Sequence, residues 1–255
     1  MNITIIGSGN VATVLGQLFK QGNHLINEVV GRNQTAVQQL AEKLNARTCF
    51  DNSTINKDSD LYVLTVKDDA VAEVSTRLHL NDRLLVHTCG SVSMNVLSTA
   101  SVNYGVLYPL QSLRKELNYQ PVIPFLIDGN NEHARTTVSD LAKTISDRVM
   151  LANDHTRLQY HLSAIIASNF SNHLFALTKN YCDVNGLDFK LLFPLIEETV
   201  NRMQHYDPAN IQTGPAIRGD EATMQKHVQL LQAFPELKKI YELMSNSIRH
   251  AHQVR

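Results

Sequence analysis

The sequence predicts an α/β chain in which a doubly wound parallel sheet is followed by an all-helical domain, and three observations carry that expectation. Short β-branched runs alternate with helical patterns through the first half, the arrangement of βαβ units that feed a parallel sheet. Strand signals then stop near Leu151, after which only helical periodicity follows. A glycine-rich turn separates the first apolar run from the first helical pattern. The domain division is therefore placed at residues 1–152 and 153–255.

The expected strands lie near residues 2–6, 26–31, 61–66, 83–87, 104–107 and 122–128. Between the first two, Val11, Val14, Leu15, Leu18 and Phe19 recur at the spacing of one helical face. Gly22 and Asn23 stop that helix. After the boundary, Asn153 or Asp154 is positioned to cap a helix that continues through Leu158, Leu162, Ile165 and Ile166 toward Asn185-Gly186. Further helices are expected over 190–205, 220–233 and 235–250, with the Gly- and Pro-containing stretch 207–219 as an irregular connection.

With 255 residues and 43% hydrophobic content, the chain can bury the core of one large domain or of two. Its 23 basic and 24 acidic residues leave a formal net charge of -1. No charge run offers an electrostatic footprint for nucleic acid or an anionic membrane, so a small-molecule partner is expected. The N-terminus lacks the features of a signal peptide, and no apolar stretch approaches the roughly 20 residues of a membrane span. Cys49, Cys89 and Cys182 are widely separated and lack metal-ligand spacing. Neither a disulfide framework nor a metal site is expected, and the reducing cytoplasm suits such a chain.

Gly7-Ser8-Gly9-Asn10-Val11-Ala12 matches G-x-G-x-x-[GA] between a strand and a helix, the context in which that spacing binds a dinucleotide in a Rossmann domain. The first glycine permits the tight turn, the second lets backbone approach the pyrophosphate, and small Ala12 allows close helix packing. After the second strand the chain reads Gly31-Arg32-Asn33-Gln34-Thr35, with no acidic residue to accept from a ribose 2′-hydroxyl. Arg32 can pair with a 2′-phosphate, with Asn33 and Thr35 adding hydrogen bonds, so NADP(H) is expected rather than NAD(H). The alternative is an ordinary solvated arginine. Val66-Lys67-Asp68-Asp69 and Gly90-Ser91 follow two further strands and should flank the ribose and nicotinamide. Asp68 and Asp69 equally suit capping of the next helix.

These motifs, together with Tyr108-Pro-Leu-Gln111-Ser112, His161, Ala167-Ser168-Asn169-Phe170 and Thr213-Gly-Pro-Ala-Ile-Arg218-Gly-Asp220, resemble a Rossmann-like family with a DUF2520 helical C-terminal domain. That family is labelled NADP oxidoreductase, coenzyme F420-dependent. The resemblance spans nearly the whole chain. It implies kinship with pyrroline-5-carboxylate reductases and with 6-phosphogluconate or β-hydroxyacid dehydrogenases, whose helical second domain closes over the nicotinamide and commonly mediates dimerisation. A homodimer through the helical domain is the corresponding expectation. The β-hydroxyacid enzymes place a catalytic lysine early in the long interdomain helix, whereas this helix begins Asp154-His-Thr-Arg-Leu-Gln-Tyr-His161 and has no lysine before Lys179.

Candidate chemistry then falls to other residues. At 100° per residue, His161, Ser168 and Asn172 lie within about 40° of one helical face, with Asn169 on its flank. His161 could serve as general acid beside polar anchors, or the same residues could be satisfied structural groups. Arg218 projects from a Gly- and Pro-fixed turn and could clamp a carboxylate, tie the loop elsewhere or meet a second chain. Tyr108 either lines the same cleft or simply packs its ring, and His227 is either a second acid or a core-edge histidine. The leading expectation is an NADP(H)-dependent reductase of a small carbonyl or imine carrying a carboxylate, with Ser168, Asn169 and Arg218 joining His161. The alternatives are a non-catalytic NADP(H)-binding sensor and an F420-dependent NADP reductase.

Overall fold

The computed structural model describes residues 1–51 and 54–253, and the chain forms two compact units, Met1–Asn169 and Phe170–Arg255. The first unit is built on eight strands: β1 (Asn2–Ile6), β2 (Leu25–Val30), β3 (Arg47–Cys49), β4 (Leu61–Leu64), β5 (Leu84–His87), β6 (Tyr104–Pro109), β7 (Phe125–Gly129) and β8 (Val149–Leu151). Their order across the sheet is β3-β2-β1-β4-β5-β6-β7-β8. The order reverses between β1 and β4, and the crevice beyond the carboxyl ends of the strands at that point is where such sheets take ligands.

Helices α1 (Asn10–Gln21), α2 (Gln34–Leu44), α3 (Val71–Thr76), α4 (Glu132–Ile145) and α5 (Asp154–Ala164) accompany the sheet. Alternating strand residues point to opposite faces and build two cores. Ile3, Ile5, Val29 and Val63 meet Leu15 and Phe19 of α1 and Leu40 of α2 on one face. Ile6, Val30, Tyr62 and Leu64 meet Val71 of α3 on the other. The predicted apolar face of α1 is the one it buries, with Gly22 capping its end as expected.

Three features depart from the expected pattern. Strands β3 and β8 are each three residues long and partly exposed, too short for alternation to register. β7 runs antiparallel to β6. The segment between them contains no helix among its described residues, and without a helical crossover the chain turns back on itself. The helix after Asn153 passes at Ile165 into a π-helical turn, Ile165–Phe170.

In the second unit α6 (Ser171–Val184), α7 (Phe193–Arg202), α8 (Pro215–Arg218), α9 (Glu221–Leu230) and α10 (Pro235–Gln253) follow one another, with no strand among the described residues. The helix expected over 190–205 divides into a 3₁₀ turn at Phe189–Leu192 and α7, where Pro194 occupies the first turn, a position that tolerates its missing N–H. Asp220 caps α9 by accepting from the Thr223 N–H (3.0 Å). No helix among the described residues is long and apolar enough to cross a membrane.

Candidate active site

The glycine loop closes directly onto the sheet. Gly7 has φ +129°, a conformation few residues with a Cβ adopt, and a Cβ there would strike the Thr65 side chain and carbonyl. Its N–H donates to the Val30 carbonyl (2.8 Å), which ties the loop to the end of β2. Gly9 stands at the N-cap of α1 with ordinary φ and no side-chain cap, and nothing lies within 4 Å of where its Cβ would be. The first N–H groups of α1 are therefore presented without a side-chain acceptor, beside open space and at the positive end of the helix dipole. This arrangement fits a pyrophosphate, with Ser8, Asn10 and Val11 around the turn and buried Ala12 packing the helix down.

Two residues beyond Val30, Arg32 is exposed, and among the described residues no carboxylate lies within ion-pair distance of it. Asn33 is committed to a structural role: its Oδ1 accepts from the Ala36 N–H (3.1 Å) and caps α2. The loops after β4 and β5 are joined to each other, because the Ser91 hydroxyl donates to Asp68. Neither Asp68 nor Asp69 caps the following turn, whose N-cap is Lys67. Val66 is half-buried, whereas Lys67 is exposed.

Gly90 is where the helical chemistry meets the sheet. A Cβ at Gly90 would lie 2.6 Å from the His161 Nδ1 and 2.9 Å from the Tyr108 ring, so the imidazole rests against glycine backbone. Tyr108 Oη and His161 Nδ1 are 3.0 Å apart, and their rings meet edge-on. Two tautomers satisfy that bond: a phenol O–H donating to Nδ1 leaves the ring proton on Nε2, and the reverse places it on Nδ1. Burial, followed by the negative charge of Asp68, raises the Tyr108 pKa, so the phenol keeps its proton at neutral pH. Tyr108 thus packs its ring and also offers its hydroxyl. Ser168 and Asn169 are exposed in the π-helical turn. Its i→i+5 bonding widens the turn, so the α-helical spacing that grouped Ser168 with His161 does not hold across it.

Sequence reasoning missed the group beneath this pair. Arg157, one turn before His161, is only 1% exposed, a rare fate for arginine. Its Nη2 donates to the Val92 carbonyl and to Asp154 Oδ1 (2.8 Å). Asp154 also accepts from the Ser93 hydroxyl and the Met94 N–H. Burial alone would raise the Asp154 pKa, but these bonds outweigh it and hold the carboxyl below its ordinary value. Capping falls to Asn153, whose Oδ1 accepts from the Thr156 N–H (2.9 Å). The i, i+3 spacing of Asp154 and Arg157 was the available signal for the pair, although it does not reveal burial.

His87 lies fully buried at the end of β5; its Nδ1 accepts from the Cys89 N–H (3.2 Å). Burial first, and the positive charge of Arg157 second, lower its pKa to about 4. Between the ordinary value of 6.5 and about 4, the unfolded chain binds a proton that the native chain refuses. Stability should therefore fall as pH drops through that window, by up to about 3 kcal/mol. Thermal unfolding from pH 7.5 to 4.5 should show a falling midpoint, and His87→Gln should flatten the slope. An unchanged slope would assign the effect to other groups.

In the second unit, His227 Nδ1 is 2.9 Å from Tyr241 Oη, so that histidine has a structural partner on α10. Arg218 is exposed at the end of α8, between Gly214 and Gly219, both with positive φ. Among the described residues no carboxylate lies within ion-pair distance of Arg218.

The strand order, the glycine loop at its switch point and the open N-terminus of α1 define a Rossmann-type dinucleotide-binding protein. Residues 2–89 match the family described as NADP oxidoreductase, coenzyme F420-dependent, and residues 123–248 match DUF2520, a domain of unknown function. A candidate NADP oxidoreductase from Bacteroides fragilis is 34% identical, with a TM-score of 0.90 over 98% of each chain. The chain belongs to this family of NADP oxidoreductases with a DUF2520 C-terminal region. Lower identities show a shared fold. A 1-pyrroline-5-carboxylate reductase from Streptococcus pyogenes is 17% identical (TM-score 0.64, 98% of each chain). An imine reductase from Myxococcus stipitatus in complex with NADP+ is 16% identical (TM-score 0.65, 100% of this chain and 95% of the other). No curated protein matches the chain.

Proposed function

We propose that the protein is an NADP(H)-dependent oxidoreductase that reduces a small carbonyl or imine substrate bearing a carboxylate. The observation that carries this reading is the Tyr108–His161 pair, set against Gly90 in the same unit as the glycine loop. Gly7 to Ala12 hold the pyrophosphate, Arg32 takes the 2′-phosphate, and Val66, Lys67, Asp68, Gly90 and Ser91 flank the ribose and nicotinamide. Bound NADPH supplies a hydride. His161 supplies the proton, and Tyr108 fixes the imidazole through Nδ1 so that Nε2 faces the substrate. Ser168 and Asn169 offer hydrogen bonds to the substrate.

Calorimetric titration with NADPH and NADH, on the native protein and on Arg32→Ala, tests the cofactor. NADPH should bind at least tenfold more tightly, with the advantage collapsing in the variant. Equal binding of both by the native protein would remove the NADP assignment. A panel of carbonyl and imine substrates, run with NADPH and with F420 as separate partners, tests turnover. Cofactor binding without turnover across that panel would favour a sensor of NADP(H).

The second unit supports a homodimer. Among its described residues only Cys182, Ala216, Met224 and Leu231 are buried hydrophobics, whereas Leu191, Leu195, Val200 and Leu243 are more than half exposed. Apolar side chains left exposed in this way fit a surface that a second copy of the chain covers. Light scattering should return twice the chain mass, and a monomer at micromolar concentration would exclude this assembly. Three buried free cysteines suit a reducing cytoplasm.

A further inference from the structure

We propose that the outer surface of α1 carries a second ligand site, which takes a polyphosphate group borne on a nucleoside or free. A cavity of about 590 Å³ opens between α1, the end of α2 and the strap of residues 113–121. Lys20, Lys43, Arg114 and Lys115 line it, and none of its lining residues is Asp or Glu. Among the described residues no carboxylate lies within ion-pair distance of Lys20, Lys43 or Lys115. Among the described carboxylates Arg114 reaches only Glu116, at 3.4 Å and with both side chains largely exposed, a pairing of little energetic weight. Lys20 Nζ donates to the Lys43 carbonyl (3.3 Å), which holds it at the end of α2.

A chain with a net charge of -1 thus gathers four cations around one concavity, and only Arg114 has a carboxylate partner among the described residues. Lysines in the last turns of α1 and α2 complement the helix dipoles. That effect accounts for Lys20 and Lys43, but not for Arg114 and Lys115, which a helix-free strap brings to the same place. Such convergence favours an anion of several charges over a single carboxylate. The volume is that of a drug-sized ligand, and Tyr119, 65% exposed on the strap, offers a ring face to a base. Its Lys20 and Lys43 end is separate from the dinucleotide loop, because Asn10 and Lys20 stand about 15 Å apart along α1, whereas at the strap end the Lys115 N–H lies 3.5 Å from Asn10 Oδ1.

Tripolyphosphate, ATP and citrate titrated calorimetrically into the native protein, Lys20→Ala/Lys43→Ala and Arg32→Ala form the test. Tripolyphosphate should bind once per chain in a salt-dependent manner, at least tenfold more weakly in the lysine variant and within twofold of native in Arg32→Ala. ATP binding tenfold tighter than tripolyphosphate, and reduced by Tyr119→Ala, would identify the nucleoside form; equal binding would identify the free form. Absence of saturable binding, equal binding of citrate, or loss in Arg32→Ala with the lysine variant unaffected would each overturn the proposal. None of these readouts depends on NADPH binding or turnover.

Discussion

Gly7→Ala is expected to weaken NADPH binding by at least a hundredfold and also to lower the thermal midpoint, whereas Gly9→Ala should lose comparable affinity with the midpoint unchanged. The two glycines of one motif differ because their backbones differ. Gly7 has φ +129°, and its missing Cβ would overlap Thr65. Strain of about 1–3 kcal/mol for the conformation and a similar amount for overpacking act on the folded state before any ligand arrives. That range corresponds to several degrees of midpoint in a unit of this size. Gly9 has an ordinary conformation and open space around its Cβ position. Alanine fits there in the free protein and obstructs only what approaches the N-terminus of α1. Scanning fluorimetry and calorimetry on both variants separate the two effects. Gly7→Ala binding NADPH within threefold of native would show that the loop does not cradle the pyrophosphate, and Gly9→Ala binding within threefold would show the same of its second glycine.

The parts legible in the sequence were those with a local cause. β1 and the face of α1 follow from alternation and helical spacing, and the glycine loop follows from backbone demands that only glycine meets. Strand ends were less exact: the expected strand 61–66 stops at Leu64, because an apolar side chain does not mark where ladder hydrogen bonding ends. β8 reads Val149–Leu151 with Met150 and Leu151 exposed, which leaves no alternation to detect. The antiparallel β7 was hidden because its direction depends on the absence of a helix in the preceding segment.

The candidate site shows the same division. Arg157 reads as a surface charge on a helix and proves to be one of the most completely buried large side chains, because Asp154 and the Val92 carbonyl satisfy Nη2. The interaction that assembles the proposed chemistry, Tyr108 with His161, joins residues 53 positions apart. Each residue was a candidate alone, but only the fold brings β6 to α5. A π-helical turn under Ser168 and Asn169 likewise has no signature in an apolar heptad pattern, since it depends on one widened set of backbone bonds.

That coupling predicts how three substitutions should rank. On a substrate identified by the panel, His161→Ala is expected to lower kcat about 10²–10³-fold with NADPH affinity within threefold of native, since loss of a positioned proton donor acts on the chemical step. Tyr108→Phe keeps the ring and removes only the hydroxyl at 3.0 Å from Nδ1. It should lower kcat about tenfold, leave KM nearly unchanged and displace the pH profile, because the imidazole loses the partner that fixes its tautomer. Gly90→Ala leaves both side chains intact yet places a Cβ 2.6 Å from Nδ1, closer than real contacts allow, so the ring must move. A misplacement of about 1 Å can cost about a hundredfold in rate, and Gly90→Ala should therefore approach His161→Ala in kcat despite retaining its histidine. If Gly90→Ala and Tyr108→Phe both turn over at the native rate while His161→Ala fails, the imidazole acts without the positioning assigned here. If His161→Ala itself turns over at the native rate, the proton comes from elsewhere.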